Sequence, residues 1–385
     1  MKMERREYRV TFLTPAFLGD AEQKGRWRTP PFKALLRQWW RVVKANELLR
    51  GGCQPQRLHI EVREAEGRLF GHAWLKHADP RGKEETWAMR SRVRLRLEPW
   101  ELGQLGREQW PGGKLCDVVT TADGKGRVRS DVYLGYGPVL APSKKEGRLK
   151  PTLGHPPAIA PDESARLTVV FPSGEEGEAV DEALLLIHWL ANLGGRANNG
   201  WGAIHLRAER ETEELPSLDS KVLARVARSL SECLRVEWPH AVGRDGAGLL
   251  VWRSRKAQSA WQRVVDELAE LKVALRRTAK GFTGPQGIGG VHLLGYPAGD
   301  KWKLSTFDND ARWGCQLHFS VAREEDGLRA LVYHLPHRMP ATLTSKLDDG
   351  QARWLEQHQE PVWREIHSYL DFRDSGFERL AGAGR

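Results

Sequence analysis

Apolar and β-branched residues alternate with polar ones over residues 7–13, which predicts a first strand ended by Pro15 and a turn at Gly19. A loop over 19–29 follows, and Thr29 before Pro30 suits a helix start with proline in the first turn. Leu35, Leu36, Trp39, Trp40, Val42 and Val43 predict a helix from Phe32 to about Leu49, stopped by Gly51 and Gly52. Lys33, Arg37, Arg41 and Lys44 fall three or four residues apart on its opposite side. One face is therefore expected to be packed and the other to form a basic ridge.

Short extended pieces are predicted at 69–74 and 93–97. Arg90, Arg92, Arg94 and Arg96 alternate with Ser91, Val93, Leu95 and Leu97, so a strand there sets its guanidinium groups on one face. Residues 99–161 read as loop, with glycine clusters at Gly112 and Asp123 and a Pro, Gly and Lys tract over 138–157. A strand at 165–171, an apolar helix at 179–193 ended by Gly194 and Gly195, and an extended piece at 202–207 complete the first half. The polar, proline-containing segment 208–218 is the expected boundary.

Helices are then expected at about 218–235 and 257–279, strands near 313–321 and 328–335, and a last helix around 349–369. Helices are too few for continuous βα units, so the pattern predicts an α+β chain with antiparallel sheets. Its domains would be 1–210, with a long insertion near 99–161, and 211–385.

Composition narrows the chemistry. Of 385 residues with a formal charge of +10, the first hundred carry 22 Lys and Arg against 12 Asp and Glu, and the remainder carries 38 of each. The basic excess is an N-terminal property and suits an anionic partner. Four cysteines lie more than sixty residues from one another, which fits neither a zinc knuckle nor a disulfide framework and points to a reducing, cytoplasmic setting. No apolar run reaches the roughly 18 residues of a membrane helix, so no membrane partner is expected. Sixteen tryptophans are unusual and read first as core.

The glycine stretch GFTGPQGIGG lacks the Lys-Ser or Lys-Thr ending of a phosphate loop, contains Pro285, and follows a helix, so it reads as a turn. His72 with His77 and His334 with His337 do not have zinc-protease spacing, and no GxSxG elbow occurs. No metal site, cofactor or catalytic residue is expected. The remaining signal is charge. Lys33, Arg37, Arg41 and Lys44 with Arg90, Arg92, Arg94 and Arg96 suit phosphate contacts, and Arg26 and Arg28 flank Trp27 as a further element.

The segment LTPAFLGDAEQKGRWRTPPFKALLRQWWRV resembles the N-terminal signature of the CRISPR-associated RAMP proteins, and most closely the first-numbered subunit of the type III-B Cmr effector complex. The matching positions are Thr14, Pro15, Phe17, Gly19, Arg28, Pro30, Lys33, Leu36, Arg37, Trp39, Trp40 and Arg41, with Ala34 where glycine is common. YLGYG at 133–137 and GGRANNGWG at 194–202 resemble the family's glycine motifs, Asn198 and Asn199 standing at positions often basic or hydroxylated. LGYP at 294–297 and RWGCQLHF at 312–319 resemble second-half segments, with Cys315 and Gln316 in place of Ser and Pro.

The resemblance implies two ferredoxin-like, RRM-like domains with antiparallel sheets. It also implies a noncatalytic subunit of an antiviral ribonucleoprotein, contacting CRISPR RNA, target RNA and neighbouring RAMP subunits. Arg196 with Gly194, Gly195, Gly200 and Gly202 would shape a second RNA contact beside the basic ridge. Two rivals remain at this level: a metal-independent RNA-processing nuclease using His72, His77 or His334, and a protein-interaction subunit that does not touch RNA.

Overall fold

The computed structural model describes residues 2–78, 84–111, 116–209, 215–297, 299 and 302–380. β1 (Met3–Phe12) buries Tyr8, Val10 and Phe12 and turns the residues between them toward solvent. α1 (Thr29–Arg50) has Arg28 at its N-cap position and prolines in its first turn. α2 (Leu58–Phe70), β2 (Arg94–Glu98), α3 (Ser130–Gly135), β3 (Ser164–Pro172), α4 (Glu175–Leu190) and β4 (Ile204–Ala208) follow. The sheet order is β4-β1-β3-β2 with every pair antiparallel. Val10 lies opposite both Leu206 and Ala165, which sets three apolar strands over α1 and α4.

The second half repeats this plan with β5 (Val251–Ser254), α5 (Trp261–Lys280), β6 (Leu317–Glu324), β7 (Gly327–His334), α6 (Asp349–Asp371) and β8 (Phe377–Arg379). Its order, β6-β7-β5-β8, is again antiparallel throughout. In both sheets the first strand lies between the third and the fourth, with the second at the far edge. The chain is thus α+β with antiparallel sheets, as its patterning predicts.

The two halves share their interiors. Leu223, Val226, Val242 and Leu249, past the expected boundary, join the core under the first sheet, as do Leu331, Tyr333 and Leu335. In return Leu13, Trp110, Leu134 and Trp201 enter the core of the second half. Trp110, Trp201 and Trp261 meet with ring centroids 5.6 to 5.9 Å apart, and Phe17 sits 5.4 Å from Trp201. Eleven tryptophans are buried among the described residues, so the excess of this residue mostly fills the core.

Three expectations need correction. The extended piece expected at 69–74 starts only at His72, because Leu69 and Phe70 close a helix, α2, where the sequence marked no element; Gly67 lies inside it against His72. The helix expected at 218–235 is two short ones, Ser220–Arg225 and Leu230–Cys233, separated by the strand Ala227–Ser229. Ser229 caps the second with Glu232 in a capping box, a start signal present in the sequence. The strand expected at 93–97 begins at Arg94, so Arg90 and Arg92 precede it. The insertion at 99–161 is anchored by Trp110, Val119, Val132, Leu134, Val139 and Leu153, all buried, with Trp110 Nε1 donating to Asp131 at 3.1 Å.

α2 changes the character of the basic ridge. Glu66, 6% exposed, accepts from Arg37 Nε at 2.5 Å and from Arg41 Nε and Nη2, both at 2.7 Å. Lys33 donates to Ser91 and Lys44 to Glu47. The ridge is a seam between helices, and all four cations are half-buried. Glu66→Ala leaves two guanidinium groups facing each other without their carboxylate. Because both are partly exposed, the loss expected in urea unfolding is about 1–3 kcal/mol; an unchanged midpoint would contradict the clamp.

Candidate nucleic-acid interface

The loop between α4 and β4 turns sharply because its glycines permit what other residues do not. Gly194 has φ +111°, and a Cβ there would stand 2.9 Å from the Phe17 carbonyl oxygen; at Gly202, φ +68°, it would stand 2.0 Å from that of Leu193. The segment after β1 braces this loop. Thr14 Oγ1 donates to the Gly200 carbonyl at 2.8 Å and accepts from the Ala203 amide at 3.1 Å. Gly195 and Gly202 amides donate to the carbonyls of Phe17 and Pro15. Two segments nearly two hundred residues apart therefore form one unit.

The loop's other side meets the second half. The Phe319 amide donates to the Asn198 carbonyl at 3.2 Å. Asn192 Nδ2 donates to the carbonyls of Ala197 and Phe319, each at 2.6 Å, while its Oδ1 accepts from Ser320 Oγ at 2.6 Å. Asn199 donates to the Leu134 carbonyl and accepts from Lys272 Nζ at 2.6 Å. Arg196 Nε donates to the Tyr136 carbonyl at 2.7 Å. The Asn198 carbonyl and the Asn199 side chain thus act in joining segments.

Between these elements runs a groove of about 870 Å³. Arg196, Lys272, Arg276 and Arg312 line it, no acidic residue does among those described, and Tyr133, Tyr136, Tyr296 and Trp313 supply aromatic surface. Arg196, Arg312 and Tyr136 are exposed, the last at 69%. Lys272 lies deeper, with its ammonium 5.9 Å from the Phe319 ring centroid. Burial, with Arg276 and Arg196 nearby, lowers its pKa to about 8 against the pull of Cys315. The Cys315 thiol is itself shifted up by burial and donates to the Leu317 carbonyl. Polyanions are the ligands such a surface favours.

No family model matches the chain, and no curated protein matches it. Among solved structures it aligns with Cmr1 from Pyrococcus furiosus in its apo form at 15% identity, over 98% of this chain and 99% of that one, with TM-score 0.44. It also aligns with a chain of the type III-B Cmr-beta complex bound to cognate target RNA at 9% identity, over 95% and 100%, with TM-score 0.45. In a further state of that complex, with AMPPnP and single-stranded DNA present, the values are 9% identity, 94% and 99% coverage, and TM-score 0.39.

The groove gathers the glycine loop with YLGYG, LGYP and RWGCQLHF, the segments singled out across both halves. Of the residues expected to bind RNA, Gly194 and Arg196 line it, and Gly195, Gly200 and Gly202 shape the loop. The α1 residues and the arginines at 90–96 are not among its lining. Arg26 pairs with Asp20 at 3.0 Å, Arg28 donates to the Gly19 carbonyl, Arg92 pairs with Glu176 and Arg96 with Glu98. Arg90, Arg94 and Arg96 are exposed. Trp27 is 2% exposed and stacks with Phe32, so it is core and no stacking plate for a base.

Lys272 and Arg276 went unmarked in the sequence, though they lie one helical turn apart on α5, a spacing that sets them on one face. Of the histidines of the nuclease alternative, those described do not lie together in the groove. His334 is fully buried, with Nδ1 3.0 Å from His367 Nε2 and its ring against Trp363. His337 is buried and accepts from Trp313 Nε1 at 3.2 Å. His77 lies outside the described side chains, and His72 begins the strand His72–Ala78 that follows α2. Among the described residues no group of three or more His, Cys, Asp or Glu is placed to hold a metal ion, and no helix is long and apolar enough to cross a membrane.

Proposed function

We propose that this chain is a noncatalytic, RNA-contacting subunit of a type III-B CRISPR effector, built on two ferredoxin-like RAMP halves that place the groove between them. The observation that carries the reading is the convergence of four family-like segments on one groove with four basic residues and no acidic one. Phosphates of guide or target RNA would meet Arg196, Arg276 and Arg312, with Lys272 beneath them. The exposed Arg90, Arg94 and Arg96 lie away from the groove, where RNA or a neighbouring subunit docks.

The test is RNA binding by the full chain across a salt series. Replacing Arg196, Arg276 and Arg312 together by alanine is expected to reduce the slope of log affinity against log salt by about 2, at roughly 0.7 per lost single-strand phosphate contact. The Lys33, Arg37 and Arg41 triple variant is expected to lose less, because Glu66 already neutralises part of that charge. An unchanged slope in the groove variant would remove the groove from the RNA path.

A further inference from the structure

A second cavity opens beside the groove, and, resting on the reading of the groove as an RNA path, we propose that it receives a single unstacked nucleobase. It measures about 610 Å³ and shares Tyr133, Arg276 and Gly299 with the groove, so the two adjoin. Sites for small ligands span about 300–1,000 Å³. The walls differ from those of the groove in kind. Trp302 and Tyr133 bring aromatic surface, and Ala122 and Val291 bring aliphatic surface.

Both sides of this cavity are held in place. One is the turn joining the strands Val118–Thr120 and Arg127–Arg129, where the amides of Thr121 and Gly124 donate to Gly126 and Thr121 carbonyls, each at 2.8 Å. Thr121 Oγ1 also donates to Asp123 Oδ1 at 2.5 Å. On the other side the Trp302 amide donates to the Gly299 carbonyl at 2.9 Å, and its own carbonyl lies 2.8 Å from His292 Nε2. Trp302 itself remains half-buried.

Cations gather around the aromatic surface. Arg276 stands where groove and cavity join, Lys280 lies one helical turn further along α5, and Lys125 projects from the turn. A ligand that satisfies this arrangement is flat and aromatic at one end and anionic at the other: a nucleotide whose phosphate lies on Arg276 and whose base enters beside Trp302. Asp123, the one acidic residue among the described lining, suits the amine edge of a base. A base held in a duplex has both faces covered by its neighbours, so the occupant is a nucleotide of a single strand. The cavity of about 810 Å³ beside β1 offers a contrast, since its arginines are interspersed with carboxylates, Glu7, Glu47 and Asp181 among them.

The probes are short oligoadenylate and an abasic strand with the same number of phosphates, each titrated against the full chain and its Trp302→Ala and Trp302→Phe variants. Unmodified protein is expected to bind oligoadenylate more tightly than the abasic strand. Trp302→Ala should weaken oligoadenylate binding by about tenfold, at the scale of one base–aromatic stack, while leaving abasic affinity and the salt slope unchanged. Trp302→Phe should recover part of the loss. Equal loss for both strands, or none for either, overturns the base pocket while leaving the groove in place. If the unmodified chain binds neither strand, the RNA reading fails first and the pocket with it.

Discussion

Lowering the pH from 7 to 5 is expected to remove several kcal/mol of folding stability, because this protein buries an unusual set of neutral histidines. Burial lowers His188, His318 and His367 to about 3 and His240 to about 4, and places His334 well below its usual value. His334 and His367 also oppose each other's charge. These groups bind protons more readily when unfolded, near pH 6.5, so the stability they contribute is present above that value and declines as the pH falls toward their folded pKa. Each such histidine accounts for about 2 kcal/mol between pH 7 and 5.

Three carboxyls oppose the trend. Burial raises Glu182 and Asp266, and burial with Glu270 nearby raises Glu267 to about 7, so these groups gain stability as the pH falls. Five histidines outweigh them. Asp245 and Glu237 have lowered pKa values, so their contributions are lost only at more acid pH and leave this window to the histidines. Urea midpoints at pH 7, 6 and 5 check the expectation. His318→Phe, which keeps a ring against Tyr333, should reduce the slope by close to one proton. A flat profile between pH 7 and 5 would show that these histidines are not held neutral.

Asn192→Leu is expected to cost about 2–4 kcal/mol, because one side chain satisfies two buried partners and a third that is partly buried. Its amide serves the carbonyls of Ala197 and Phe319, and its carbonyl oxygen receives the Ser320 hydroxyl. A leucine of similar volume fills the space and leaves those groups without partners. The same contacts join the glycine loop to β6, so the variant should weaken RNA binding although Asn192 does not line the groove. Its comparison is Asn198→Ala, an exposed position whose backbone carbonyl alone makes the link to Phe319 and remains in the variant. Equal stability of the two would show that the Asn192 network does not hold the halves together.

Much of the architecture was legible along the chain. β1, α1, α4, α5, β6, β7 and α6 lie close to where period and punctuation put them, since each carries a broad apolar stripe or a cap, such as the Asp348 and Gln351 capping box before α6. α2 escaped although it buries Leu58, Val62, Leu69 and Phe70, because polar residues and Gly67 interrupt its apolar face, and it also carries Glu66 to the cations of α1. The ridge likewise misled as an isolated pattern. A helical row of cations in sequence does not reveal whether a buried carboxylate from another helix faces it.

The order of apolar and polar residues determined the α+β class, most of the helices and strands, and the segments that matter, because local periodicity and turn chemistry act over a few residues. The N-terminal excess of positive charge was equally plain in the sequence. Which cations share a surface was decided only by the tertiary structure. Arg196, Lys272, Arg276 and Arg312 are brought together by the Asn192 and Asn199 hydrogen bonds and by packing of the two halves, while Arg37 and Arg41 turn inward to Glu66. Those contacts join residues far apart in the chain, and their partners are chosen by the fold.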